Sequence, residues 1–272
     1  MAFSSKDGKG NHVDPMSGVV PIIKEKEKGI LQTIGTGFYI TRYGLIITAA
    51  HVIKDLAKKD NSGLTDCFVC HPLDNNNVNL RKVISAIYMK DYDIGILQVD
   101  NYCEKFLNNP LQNLRVNISS TIPQIGDKVV TYAFPENEAM NFKDKKNIRI
   151  IKSDFYEGSF LRFVKKSENP YIPYPHFETN IKLKNGASGG PVFHNGNVIG
   201  VNCRSMEFLA ENDTEKEYLT YIVPITVIFS MKIKLLQLPE ISWEFNQLTD
   251  EQRKSDLSIE QLIQAQHINH VI

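Results

Sequence analysis

Asn185-Gly186-Ala187-Ser188-Gly189-Gly190-Pro191 decides how the rest of this chain is read. A serine hemmed in by glycines at a strand-to-turn transition can present an exposed hydroxyl for attack. A hydroxyl is a weak nucleophile. It needs a histidine to take its proton and a buried carboxylate to hold that histidine's tautomer. Both partner types lie upstream, in Thr48-Ala49-Ala50-His51 and in Asp93-Ile94-Gly95-Ile96-Leu97. Glycine at 186 frees the backbone to turn the N–H groups of Gly186 and Ser188 toward one developing oxyanion. Gly189 and Gly190 leave room for a substrate. Each piece alone has a plain structural reading, as a turn, a core histidine or a strand start, and only their co-occurrence in one order carries weight. Asp91 is the rival carboxylate, two residues before Asp93 and on the same strand face. Asp93 is preferred because the apolar run Ile94-Gly95-Ile96-Leu97 follows it and helps bury it, whereas Asp91 falls in a solvated turn.

The order His51, Asp93, Ser188, at separations of 42 and 95 residues, matches the chymotrypsin arrangement and neither the subtilisin nor the α/β-hydrolase one. Further stretches agree: Gly35-Thr36-Gly37-Phe38, Ile46-Ile47-Thr48-Ala49-Ala50-His51, Val198-Ile199-Gly200-Val201-Asn202 and Tyr221-Ile222-Val223-Pro224. Over roughly residues 30–235 the chain resembles the trypsin-like, chymotrypsin-fold serine peptidases, closest in style to the HtrA (Deg) protease domain and other bacterial trypsin-like peptidases. The resemblance implies His51 as general base and then acid, Asp93 as orienting carboxylate and Ser188 as nucleophile, with oxyanion N–H groups from Gly186 and Ser188. It implies a serine endopeptidase acting on protein or peptide substrates through an acyl-enzyme, with latency until triggered as a further expectation. The alternative is a catalytically silent trypsin-fold binding or scaffolding module, and a weaker one is an acyl hydrolase that is not a peptidase. A scaffold has no chemical need of all three triad members.

Two departures from secreted trypsins bear on control. Ala187 stands where those enzymes carry the aspartate that pairs with a freshly cut N-terminus, and Val52 stands where they carry a cysteine beside the catalytic histidine. Control by loop ordering or by an activating partner is then expected. Also by family position, Lys182, Leu183 and Lys184 precede the oxyanion loop, and residues 201–204 form the opposite wall of the primary specificity pocket. Leu183, Val201, Asn202 and Cys203 are the expected substrate-binding residues. A lysine in place of trypsin's aspartate argues against basic P1 residues. Leu183 favours an apolar one, and an acidic P1 is the alternative if Lys182, Lys184 or Arg204 points inward.

The 31 basic residues balance 31 acidic ones, so charge gives no case for nucleic acid or membrane partners. Residues 1–17 lack the apolar core of a secretory signal, and the apolar stretch 221–229 is too short to span a bilayer. These features predict a cytoplasmic protein. Four cysteines, Cys67, Cys70, Cys103 and Cys203, are too sparse for a disulfide scaffold and read as free thiols. Cys67-Phe68-Val69-Cys70 has two-residue zinc spacing but no second pair, and reads better as part of a strand. No metal or cofactor is expected.

Short β-rich runs fill residues 30–34, 37–41, 45–48, 65–71, 79–88, 94–99, 128–133, 148–155, 159–164, 176–180, 191–194, 198–203 and 218–223. That pattern predicts an all-β chain of two six-stranded antiparallel β-barrels with the active site between them. The first barrel is placed at about 18–118 and the second at about 126–235, after a flexible segment 1–17, with a hinge at 118–126. Asn195-Gly196 signals a hairpin and makes His194 a hairpin residue. Residues 49–56 read as a helical turn, and Pro224 can open another helix. Residues 236–272 read as a helical C-terminal extension with capping boxes at Thr249 to Gln252 and Ser258 to Gln261. Its roles are packing on the second barrel, self-association or partner docking. The Lys/Asn-rich loop 136–147 is long enough to gate the cleft.

Overall fold

The computed structural model describes residues 5–6, 12–13, 18–27, 30–42, 44–56, 64, 67–72, 78–89, 91–100, 114–135, 140–141, 153–209, 216–233 and 256–272. Cys103, the Thr249 to Gln252 capping box and most of the 136–147 loop lie outside the described residues.

Two closed six-stranded barrels make up the fold. The first holds β1 (Val19–Glu27), β2 (Ile30–Tyr39), β3 (Leu45–Thr48), β4 (Cys67–Pro72), β5 (Val78–Met89) and β6 (Ile94–Val99). Its strands pair antiparallel in the order β2-β1-β4-β5-β6-β3, and a β2–β3 ladder closes the ring. Helix α1 (Ala50–Leu56) follows β3 directly. A short strand β7 (Ile118–Ser119) leads to the second barrel of β8 (Lys128–Ala133), β9 (Asp154–Val164), β10 (His176–Thr179), β11 (Pro191–His194), β12 (Asn197–Leu209) and β13 (Lys216–Pro224). Here the order is β11-β8-β9-β10-β13-β12, closed by β11–β12.

Strands β3 and β6 are buried along their whole length. An antiparallel strand with one wet face alternates apolar and polar residues, so runs such as Leu45-Ile46-Ile47 signal burial on both faces. The structure supplies two cores for those faces. Leu45, Ile47, Ile94 and Ile96 join a core shared with Val198, Val201 and Val223 of the second barrel. Ile46, Leu97 and Val99 instead fill the interior of the first barrel with Val20, Ile22 and Val52. The seam between the barrels is therefore a packed hydrophobic layer, and whatever stands at its rim is held by both halves.

Several local expectations shift. The runs 30–34 and 37–41 are one strand, β2, and β12 and β13 extend well past their apolar centres. Strand β1 has no counterpart among the expected strands, since Pro21 interrupts it and Lys24-Glu25-Lys26-Glu27 ends it. The proline is tolerated because β4 pairs with β1 only from Ile22 to Lys24. Residues 225–230 form a 3₁₀ helix with Pro224 as its cap. The described part of the tail holds β15 (Leu257–Ser258), which pairs with β14 (Lys232–Ile233), then α2 (Ile259–Gln264) and β16 (His270–Val271). Ser258 and Gln261 form the expected capping box. Strand β16 adds in parallel to β7, so residues 270–271 are paired to the segment that leads into the second barrel. No helix among the described residues is long and apolar enough to cross a membrane.

Candidate active site

His51 is the second residue of α1. Ala50, Val52, Ile53 and Leu56 bury the helix against the first barrel, which leaves the imidazole on the outer side at 44% exposure. Asp93 ends the turn before β6, and its carboxylate is 20% exposed. It accepts two hydrogen bonds from one residue: the His51 backbone N–H donates to Oδ1 at 2.9 Å, and Nδ1–H donates to Oδ2 at 2.7 Å. The carboxylate thereby fixes the imidazole tautomer, with the proton on Nδ1 and a lone pair on Nε2. Burial alone would raise the Asp93 pKa. The imidazole hydrogen bond and charge, the backbone bond and Lys54 outweigh it and hold the carboxyl below its ordinary value. Asp91, the rival, is exposed in the preceding turn.

Ser188 sits on a turn that the second barrel supplies and the first barrel clamps. Thr36 on β2 is fully buried; its N–H donates to Ser188 O at 2.8 Å and its Oγ1–H to Gly186 O at 2.9 Å. The same Oγ1 accepts from Phe134 N–H at 3.0 Å, and Thr48 Oγ1–H donates to Thr36 O at 2.7 Å. From the other side Asn202 O accepts from Gly189 N–H at 2.7 Å, while Asn202 N–H donates to Gly190 O at 2.9 Å. The Asn202 side chain reaches back through Nδ2–H to Thr131 Oγ1 at 2.7 Å. Gly189, at φ +84°, packs so closely on Thr36 and Thr48 that a Cβ there would meet their oxygens at 2.2 and 2.1 Å. Gly186 also has positive φ, 89°. Among the described residues the N–H groups of Gly186 and Ser188 have no hydrogen-bond acceptor, and no hydrogen bond joins Ser188 Oγ to His51 Nε2. Such contacts often tighten only when substrate arrives.

The expected pocket residues take different places. Leu183 is half-buried against Ile181, Val192, Ile199 and Ile222. Val201 belongs to the core between the barrels and Asn202 to the clamp just described. Cys203 is buried behind the carboxylate: its thiol lies 3.1 Å from Asp93 O and 3.4 Å from Val201 O as donor. Burial and the Asp93 charge push its pKa well up, so it stays a thiol. Lys182 lies over the Tyr218 ring at 4.6 Å, and Lys184 pairs with Asp154 at 3.1 Å. His194 pairs with Asp127 at 3.1 Å beside the Asn195-Gly196 hairpin turn. Cys67 and Cys70 fall into separate apolar clusters, as their odd spacing on a strand requires. Thr36, Thr48 and Thr131 were not anticipated as site residues. A signal existed for the first, because glycines at 35 and 37 within a strand mark close backbone approach, and a Cβ on Gly35 would stand 3.2 Å from Ser188 O.

Two closed barrels with a histidine–carboxylate pair on one and a clamped serine turn on the other define the chymotrypsin-like class. Residues 35–201 match the pattern of the Trypsin-like peptidase domain, and the chain belongs to that family. None of the curated proteins matches it closely enough in sequence to count as a relative. Among solved structures it is similar to Deg5, with 21% identity and TM-score 0.53 over 78% of this chain and 85% of that one. The MamO protease domain from Magnetospirillum magneticum, in its apo form, is similar with 13% identity and TM-score 0.51 over 78% and 94%. Likenesses at these identities speak to the fold alone.

Proposed function

We propose that the chain is a serine endopeptidase in which Ser188, His51 and Asp93 act as a triad. The observation that carries this reading is the twofold acceptance of His51 hydrogen bonds by Asp93 at 2.9 and 2.7 Å, which leaves Nε2 as a base at the seam where the Ser188 turn is clamped. Ser188 Oγ attacks the scissile carbonyl and its proton passes to His51 Nε2. The imidazolium is stabilised by Asp93, and the oxyanion by the N–H groups of Gly186 and Ser188. His51 then gives its proton to the leaving amine, and water, activated by the same imidazole, releases the acid. No metal or cofactor enters these steps.

An apolar P1 residue fits best. Lys182 and Lys184 are held by Tyr218 and Asp154, which leaves Leu183 as the side chain of that segment with an apolar surface to offer. The absent Ser188–His51 hydrogen bond supports latency relieved by substrate or by an activating partner. Buried thiols at Cys70 and Cys203 support a reducing compartment, and the cytoplasm is the proposed location. The peptidase unit is assigned to about 18–235, with 236–272 as its extension. Labelling with a fluorophosphonate probe tests the reading. Wild-type protein is expected to label and Ser188→Ala to stay blank; a wild type that never labels, with or without peptide, would favour the scaffolding alternative.

A further inference from the structure

Several cations on the second barrel's side of the site are engaged. Lys182 covers Tyr218, Lys184 pairs with Asp154, Arg162 makes a two-pronged pair with Glu178 at 2.6 and 3.2 Å, and Lys128 pairs with Glu157 at 2.5 Å. Arg204 is exposed, and its guanidinium forms no ion pair or hydrogen bond among the described residues.

Its position is specific. Arg204 follows Cys203, whose thiol touches the Asp93 backbone, and stands two residues beyond Asn202, which holds Gly189 and Gly190. At about 3.3 Å per strand residue, that sets it about 7 Å along β12 from Asn202, the residue bonded to the serine turn. A bulge between Asn202 and Arg204 re-aims the strand there. Beyond Val201 the β11 partner ends, and among the described residues Arg204 to Leu209 pair only with β13. The strand edge facing the site is thus open to an extended peptide, which can hydrogen-bond to it. Tyr221 stands directly opposite Arg204 in the β12–β13 ladder, and the guanidinium's charge works against burial, the larger effect, at the Tyr174 and Tyr221 hydroxyls. Tyr92 extends the wall, its ring centroid 6.2 Å from that of Tyr174. Glu178, a buried carboxylate opposite Tyr221 in the β10–β13 ladder, is already held by Arg162. An unpaired guanidinium beside a tyrosine wall, on an open strand edge, suits a carboxylate.

We infer that Arg204 is a specificity-determining residue, selecting substrates with an acidic side chain two or three positions from the scissile bond, on the side that lies along β12. The inference rests on the peptidase reading, so its test has one arm that needs catalysis and one that does not. In the first, wild type, Arg204→Ala and Arg204→Glu cleave a peptide series in which Glu, Ala or Lys is scanned through each position beside a fixed leucine at P1. The ratio of kcat/KM for Glu over Ala peptides should be about tenfold at one position in wild type. It should fall to about one in Arg204→Ala, and Arg204→Glu should prefer Lys at that position. In the second, the full chain carrying Ser188→Ala, with and without each Arg204 change, binds fluorescein-labelled versions of the same peptides by anisotropy, and the affinity ratios should follow the same pattern. Equal treatment of Glu and Ala at every position, or a Glu preference that survives Arg204→Ala, overturns the inference. If wild type neither labels with the fluorophosphonate nor cleaves, the peptidase reading falls, and the binding ratios alone decide whether Arg204 selects acidic peptides.

Discussion

Replacing Gly189 by alanine separates backbone strain from steric crowding at the serine turn, because Gly126 provides a matched control. Both glycines hold left-handed conformations, φ +84° and +91°, so alanine at either costs about 1–2 kcal/mol of backbone strain. Around Gly126 an added Cβ meets nothing within 4 Å. At Gly189 it would lie 2.1 Å from Thr48 Oγ1, 2.2 Å from Thr36 O and 2.9 Å from Ala49 N. Thr48 Oγ1 cannot swing aside freely, since it donates to Thr36 O at 2.7 Å, and the other two atoms are backbone. Crowding of this kind adds about 1–3 kcal/mol. Gly126→Ala should thus lose about 1–2 kcal/mol, and Gly189→Ala about 2–5 kcal/mol, in urea unfolding analysed by linear extrapolation. Relief by displacing the turn would move Ser188 by a fraction of an ångström to an ångström. The fluorophosphonate labelling rate should then fall about 100-fold in Gly189→Ala and stay unchanged in Gly126→Ala. A Gly189→Ala protein no less stable than Gly126→Ala, or one that labels at the wild-type rate, would refute the clamp.

The other predictions concern groups on either side of that turn. Asp93→Asn should keep the fold and lower kcat about 10⁴-fold, because an amide can hold the wrong imidazole tautomer; near wild-type turnover would remove Asp93 from the triad. Thr36→Val leaves Gly186 O and Phe134 N–H without their partner and should cost about 1–3 kcal/mol in denaturant midpoint experiments, with no loss pointing to a dispensable hydroxyl. Burial, then Arg115 and Arg42, lowers the His267 pKa, so the fold favours the neutral ring. Its stability contribution is complete above the unfolded value of about 6.5 and is lost as pH falls below it toward the folded value. His267→Gln should therefore flatten the change in urea midpoint between about pH 7.5 and about pH 5.5, and an unchanged slope would assign that change elsewhere.

How much of this was legible in the sequence depends on whether the signal was local. Asn195-Gly196 sets a hairpin by its own left-handed preference, and the structure has φ 48° and 80° at those two residues. The continuous apolar runs of β3 and β6 announced burial on both faces. The triad candidates were legible because three chemistries fall in one order, and the fold brings His51 and Asp93 into contact. The clamp was not legible. Thr36, Thr48 and Thr131 are ordinary β-strand residues until chains 60 to 150 positions away arrive. Strand β1 was hidden by Pro21 and its charged end, whose cost is removed by where β4 happens to pair. Strand β16 was hidden more completely, since His270–Val271 are too short and too polar to read as a strand without β7 beside them.

That last pairing changes what the C-terminal extension can do. Leu257, Ile259, Leu262 and Ile268 are buried in the core shared by both barrels. Arg115 Nη1 donates to Gln266 O at 3.1 Å and Ile118 N–H to Asn269 O at 2.8 Å, both on the hinge side. The described part of the extension thus straps the shared core to residues 115–118, and these four apolar side chains are already covered by their own chain. Self-association or partner docking through these four residues would first require undocking them, at about 1.5–3 kcal/mol for each side chain. Leu262→Ala separates the two roles. If the strap is structural, the change costs about 2–5 kcal/mol of stability and leaves the sedimentation coefficient of the folded protein unchanged. If the residue instead mediates assembly, the oligomeric state shifts while the monomer's urea midpoint holds, and the strap reading fails.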